Sequence, residues 1–151
     1  MGRHWGFLTG IDIGPVEDPY IDRLRLFETP WLSLYLHKIH RPDVEPDPHD
    51  HPWPFASLVL LGGYREVTWP DKHNDSHRFS RYRARFSVRL TRRRAAHMIT
   101  EVRSPLWTLV LAGPDKGEWG YYQRGEYTRW QDYFSPEVIR RFEEGKAAGR
   151  K

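Results

Sequence analysis

Two histidines separated by one residue are the feature of this sequence best suited to chemistry. His49 and His51 flank Asp50, and in an extended strand residues two apart point to the same side, roughly 6.6 Å from each other. Pro48 and Pro52 favour that conformation, because the residue before a proline is pushed out of the helical region. The pattern predicts that both imidazoles converge on one metal ion while the aspartate faces away.

A metal held by two histidines needs a further ligand, and His97 is the best placed of the remaining histidines. It precedes two apolar residues, so we expect it on another strand. Glu66 and Glu101 are weaker candidates for a carboxylate ligand supplied from later in the chain. Two other interpretations stay open: surface histidines in a proline-rich loop for His49 and His51, and a hydrogen-bonded histidine at a barrel mouth for His97.

Composition excludes several other kinds of site. The chain has 151 residues and no cysteine, which excludes a disulfide framework, a thiolate zinc site, a cysteine nucleophile and an iron–sulfur cluster. The length predicts one domain, residues 1–151, that buries its own core. The apolar runs are too short for a membrane helix, and the N-terminus lacks the apolar segment of a signal peptide, so we expect a cytoplasmic protein without a membrane partner.

Alternating apolar and polar residues predict the strands that must position the histidines. Two strands are expected between residues 20 and 40, and the second covers 31–39. A β-hairpin is expected at 55–69, with Gly62-Gly63 as its two-residue turn. Further strands are predicted at 81–90, 107–111, 118–122 and 130–134.

Only the C-terminal end is predicted to be helical, over about residues 136–144. Ser135 can cap this helix, Pro136 suits its first position, and Gly145 is expected to end it. Aromatic residues make up 15% of the chain, which is typical of sheet proteins. The fold class is therefore predicted as all-β, a small barrel or sandwich with a short C-terminal helix.

The segment from Arg78 to Arg94 contains eight arginines and no acidic residue. We expect its arginines to face solvent, because strict alternation with apolar residues is typical of a half-exposed strand. The reverse orientation would line the barrel interior with arginines that pair with an anionic substrate, at a large desolvation cost. A net charge of +4 is compatible with an anionic partner, although a nucleic acid is not expected. Expected to face inward are Tyr82, Ala84, Phe86, Val88 and Leu90.

Taken with their surroundings, the histidines resemble the motifs of the cupin superfamily. His49-x-His51 is followed after eleven and twelve residues by Gly62-Gly63, which resembles the first cupin motif, and His97 lies where the second motif has its histidine. The resemblance covers roughly residues 31–122. It implies a small β-barrel or jelly roll whose interior holds one divalent metal ion on histidines of its strands.

Two features depart from the usual cupin motifs. The glutamate that normally follows the second histidine by four or five positions is replaced by Phe55 and Ala56, and the Pro-x-Gly turn before the later histidine is absent. The pattern without glutamate resembles the three-histidine sites of thiol and diketone dioxygenases, which favours iron(II). Zinc, nickel, copper and manganese remain open, because imidazole ligands suit several of these ions.

Three functions stay open after this comparison of motifs. The first is metal-dependent, dioxygenase-like oxidation of a small molecule, which the resemblance favours. The second is an isomerase or epimerase in which a histidine acts as base and a tyrosine as acid. The third is a non-catalytic module that binds an anionic partner through the arginine-rich strand. The resemblance also implies a homodimer. Candidate residues near the histidines are Tyr35 and Tyr64 as catalytic acids and Trp53 and Ser57 as substrate contacts.

Overall fold

Antiparallel strands dominate the computed structural model, which describes residues 6–13 and 20–148. The prediction of an all-β barrel or jelly roll with a C-terminal helix is confirmed. None of the helices in these two ranges is long and apolar enough to cross a membrane. The elements are β1 (Gly6–Ile13), β2 (Ile21–Glu28), β3 (Ser33–Ile39), β4 (Phe55–Trp69), β5 (Phe79–Arg83), β6 (Val88–Thr91), β7 (Ala96–Ala112), β8 (Gly120–Gln123), β9 (Glu126–Arg129), α1 (Trp130–Tyr133) and α2 (Pro136–Ala148).

One large sheet carries most of the elements that surround the histidines. Its strand order is β1-β2-β3-β7-β4-β5, and β6 pairs with the first half of β4. Strands β8 and β9 form a separate hairpin. Isolated bridges join His49 to His97 on β7 and to Tyr121 on β8. The segment that carries the histidine pair is therefore fixed between the large sheet and the small hairpin.

The glycine pair bends a strand instead of reversing it, so the predicted hairpin at 55–69 is wrong. Both halves of β4 pair with β7, and the register shifts on either side of Leu61. Gly62 has φ +74°, and a Cβ placed on it would lie 2.4 Å from the carbonyl oxygens of Arg103 and Pro105. Glycine is required here because the bulge brings two backbones into contact.

The arginine-rich segment also differs from its prediction. It forms two strands, β5 and β6, with a turn between them in which Phe86 has φ 67°. Arg89 is buried at 8% exposure, whereas the neighbouring Leu90 is 81% exposed. The expected inward set is therefore wrong throughout, because all five of its members are exposed: Tyr82, Ala84, Phe86, Val88 and Leu90. The cost of burying Arg89 is offset by the Glu66 carboxylate, which lies 2.7 Å from its Nη1 atom.

The last third of the chain contains two smaller corrections. The strand predicted at 130–134 is wrong, because Trp130–Tyr133 form a helical turn whose Trp130 and Tyr133 rings stack on those of Trp119 and Tyr121. Helix α2 continues past Gly145 to Ala148, beyond its predicted end. This helix packs along β1, and tertiary packing of this kind outweighs the weak helix propensity of one glycine.

The bulge in β4 can be tested by substitution. We expect Gly62→Ala to lower the free energy of unfolding by at least about 2 kcal/mol, because the new Cβ meets two carbonyl oxygens and the positive φ is strained. Gly117→Ala is the matched control, since Gly117 has φ +92° with nothing within 4 Å of a Cβ, and about 1 kcal/mol is expected for φ strain alone. Urea unfolding measures both; equal losses would contradict the close approach.

Candidate metal centre

His49 and His97 are placed by backbone hydrogen bonds between the ligand segment and β7. The His49 amide donates to the His97 carbonyl at 3.0 Å, and the His97 amide donates to the His49 carbonyl at 2.9 Å. This reciprocal pair fixes the two residues opposite each other. His51 lies two residues along the same extended segment, as its spacing predicts, and its ring is 5.1 Å from that of His49 between centroids.

Asp50 faces a different environment from the two histidines that flank it. Its carboxylate is fully buried and accepts hydrogen bonds from the Gly120 amide at 2.9 Å and the Tyr122 hydroxyl at 2.8 Å. The Arg94 Nε atom lies 2.8 Å from the same carboxylate. Because side chains alternate along the extended chain, the two imidazoles point to one side and the aspartate points to the other. The aspartate attaches the segment to β8.

The three imidazoles converge closely enough to bind one ion. One ring nitrogen of each of His49, His51 and His97 lies within 4.8 Å of the others, and the Nε2 atoms of His51 and His97 are 2.9 Å apart. Two nitrogens that bind the same ion at about 2.1 Å are roughly 3.0–3.4 Å apart at tetrahedral or octahedral angles. The His51–His97 distance is close to that range, whereas the 4.8 Å limit for the set that includes His49 is wider, so the three imidazoles form a candidate transition-metal centre.

The protonation of these imidazoles also suits a metal. Burial lowers the pKa of His51 well below its usual range, and the neighbouring His97 and His49 lower it further. Burial, with Arg89 next, has the same effect on the pKa of His97. Both rings are therefore neutral at pH 7 and keep a lone pair for a metal, which requires deprotonated ligands.

The Glu66 carboxylate lies behind His97, not in the position of a ligand. It is fully buried, and its Oε1 atom lies 2.9 Å from His97 Nδ1. Arg89 also lies 3.4 Å from this nitrogen, but the shorter contact makes Nδ1–H a donor to Glu66. His97 Nε2 then keeps its lone pair toward His51, the arrangement by which carboxylates orient metal-binding histidines.

Other carboxylates near the histidines are engaged elsewhere. Asp43 lies 3.9 Å from His49 Nδ1 and accepts the backbone N–H of Ile99 at 2.7 Å. Glu101 pairs with Arg65 at the surface, with an Nε to Oε2 distance of 3.0 Å. Within the described ranges, the cluster of potential ligand atoms consists of imidazoles alone.

The histidines open into a cavity of about 110 Å³. All four residues suggested by the sequence as acids or substrate contacts line it: Tyr35, Trp53, Ser57 and Tyr64. Burial raises the pKa of Tyr64, with the Glu66 charge next, so its phenol stays protonated and can donate a proton or hydrogen bond. The catalytic and substrate-binding roles of these four residues remain predictions.

Sequence reasoning missed several polar residues of the same cavity, among them Arg23, His37 and Arg89. His37 shares its face of β3 with Tyr35, so its period-two position was a usable signal. Arg23 had no such signal, because it is one of many arginines, and its position depends on the pairing of β2 with β3 that places it opposite His37. Arg89 was expected on the solvent face.

Comparison with solved structures shows which known fold the chain resembles. No protein-family model and no curated protein sequence matches the chain, but solved structures do. Oxalate decarboxylase matches 96% of this chain and 38% of its own, with a TM-score of 0.56 and 11% identity. Fe(II)-HppE, crystallised with the alternative substrate (S)-1-HPP, matches 70% of this chain and 55% of its own, with a TM-score of 0.53 and 12% identity. KdgF from Halomonas sp. matches 72% of this chain and 94% of its own, with a TM-score of 0.51 and 18% identity.

The chain has the cupin fold. The resemblance inferred from the histidine motifs is confirmed at this level. The chain spans about half the length of the HppE chain and nearly all of the KdgF chain. At identities this low, the likeness establishes the cupin fold alone, and function has to be argued from the site.

The role of Glu66 behind His97 gives a testable expectation. Glu66→Gln should weaken metal binding about 10- to 100-fold, because His97 loses the charged acceptor that orients its ring and raises its basicity. Competition between the protein and a chelating indicator for Zn²⁺ measures this affinity. Glu101→Gln removes the same charge from a surface pair and should leave it within about twofold. An unchanged affinity in folded Glu66→Gln protein would contradict the assignment.

Proposed function

We propose that this protein is a metal-dependent oxidoreductase of the cupin fold that acts on a small molecule. Its metal ligands are His49, His51 and His97. The observation that carries the proposal is the convergence of three imidazole nitrogens within 4.8 Å at one cavity. Three neutral ligands leave the charge of a divalent ion unbalanced and leave coordination positions for other molecules, as catalytic metal sites require.

A divalent transition metal held there, with iron(II) favoured, would supply Lewis acidity and one-electron chemistry. The residues of the chain provide the environment for that chemistry. Trp53 and Phe55 lie with ring centroids 6.1 Å and 5.2 Å from His51, so the histidines have an apolar wall that limits access of water. Tyr64 and Ser57 add hydroxyl groups that can hydrogen-bond a substrate.

One observation favours an isomerase or epimerase as a second candidate. Tyr64 is buried at 4% exposure and keeps its proton, which suits a general acid, and it lines the cavity with the histidines. The histidines suit the role of base less well, since the pKa values of His51 and His97 are lowered far below neutrality and a base of low pKa accepts protons poorly. Oxidoreduction at a metal is therefore preferred.

Metal analysis of protein purified without a histidine tag tests the proposal. After anaerobic loading with iron(II) and removal of excess ion, we expect about one equivalent in the wild type and almost none in the variants of the ligands. His77→Ala is the control, because His77 is an exposed histidine outside the cavity. Iron retained after each ligand substitution, or absent from the wild type, would overturn the proposal. The ligand variants are His49→Ala, His51→Ala and His97→Ala.

A second measurement separates a catalytic centre from a purely structural one. Nitric oxide, used in place of oxygen, should bind to the iron-loaded wild type and give the electron paramagnetic resonance signal of an iron–nitrosyl complex. Binding requires an open coordination position, which a structural centre with four protein ligands lacks. Bound iron that gives no such signal would contradict the oxidoreductase proposal while leaving the metal site intact.

A further inference from the structure

We propose that Arg23 forms a carboxylate-binding subsite in the cavity, so that the substrate is a small organic acid with another polar group directed to the three histidines. The inference deepens the proposed function. Only the contact between the second polar group and the three histidines rests on that function. The inference names the chemical class of substrate, which the histidine cluster by itself does not.

Arg23 is held in one orientation by its neighbours. Its Nε atom donates a hydrogen bond to His37 Nε2 at 2.9 Å, and its guanidinium carbon lies 4.8 Å from the centre of the Tyr35 ring. Its backbone is opposite His37 in the pairing of β2 with β3. The side chain is therefore fixed at both its Nε edge and its face, which leaves the end with the two Nη groups as the remaining donor edge.

No protein acceptor satisfies that edge among the described residues. The hydrogen bond to His37 is the only one that the guanidinium makes there, and no carboxylate of these residues forms an ion pair with it. The side chain is partly buried, and burial lowers the pKa of the guanidinium. A partly desolvated cation of this kind is stabilised when a charged partner binds it.

Arg89 provides an internal comparison, because it lines the same cavity. Its charge is offset by Glu66 at 2.7 Å, whereas Arg23 has no corresponding acid within the described part of the chain. None of the described residues that line the cavity is acidic. The cavity thus has an excess positive charge at Arg23, and a divalent ion on three neutral imidazoles would add to it.

A carboxylate matches this excess in charge and in shape. Two parallel N–H donors at the end of a guanidinium bind the two oxygens of a carboxylate in a bidentate pair. A single unpaired arginine balances one negative charge, and a cavity of about 110 Å³ admits only a small acid. Arg23 and the three histidines also line the same cavity, so one small molecule can reach both.

Binding of pyruvate and of its neutral analogue pyruvamide tests the subsite without requiring turnover. The zinc-loaded and metal-free proteins are titrated at constant ionic strength by calorimetry, and the Arg23 Nε–H resonance is followed by NMR. We expect pyruvate to shift that resonance in both forms. We also expect Arg23→Gln to weaken pyruvate binding at least tenfold, Arg23→Lys to weaken it less, and neither to affect pyruvamide.

Arg65→Gln is the matched control, because it removes the same charge from the exposed pair with Glu101 and should leave pyruvate binding unchanged. Equal pyruvate affinity in wild type and folded Arg23→Gln would overturn the inference. A higher affinity for inorganic phosphate than for pyruvate and acetate would overturn it as well. If Arg23→Gln fails to fold, the resonance shift and Arg23→Lys decide: an unmoved resonance overturns the inference. Pyruvate binding at Arg23 in a protein that binds no metal would support the subsite and refute the proposed metal function.

Discussion

The fully buried carboxylate of Glu66 connects the strands that form the candidate site. It lies on β4, and it contacts His97 on β7, Arg89 on β6 and Arg83 on β5. A carboxylate without partners in this position would be strongly destabilising. The two arginines make its burial tolerable, and the carboxylate in turn makes the burial of Arg89 tolerable. The orientation of β6 and the direction of the His97 ring therefore have one common cause.

A second buried carboxylate, that of Asp50, holds in place the segment that carries the other two histidines. Asp50 is bonded to Gly120 and Tyr122 of β8 and paired with Arg94, so the segment between its flanking prolines cannot move independently of the barrel. The period of two along an extended chain then presents His49 and His51 to the cavity. Each histidine position in the proposed centre is thus maintained by an acidic residue that does not itself reach the ion.

Local sequence pattern was sufficient where the signal was local. The alternation around His49-Asp50-His51 and the flanking prolines correctly indicated an extended segment with its two imidazoles together. Local pattern gave the wrong prediction where the residue that decides a side chain's orientation is distant in sequence. Whether Arg89 or Leu90 faces inward depends on Glu66, which lies on another strand, and apolar alternation alone favoured the wrong face.

The two glycines illustrate a related limit. A Gly-Gly pair between two apolar runs is compatible with a tight turn and with a bulge, and only the pairing of both runs with β7 distinguishes them. Arg23 shows the opposite case, because its proposed role arises from the lack of an acidic partner among the residues that the structure describes. The lack of a partner has no local sequence signature, because the environment of Arg23 depends on the pairing of β2 with β3.

The most direct test of this account is a crystal structure of the iron-loaded protein, with anomalous data collected on both sides of the iron absorption edge. The account predicts one anomalous peak about 2.0–2.2 Å from nitrogens of His49, His51 and His97, with Glu66 bonded to the far nitrogen of His97. A peak coordinated by Glu66 itself, or located away from these histidines, would contradict it.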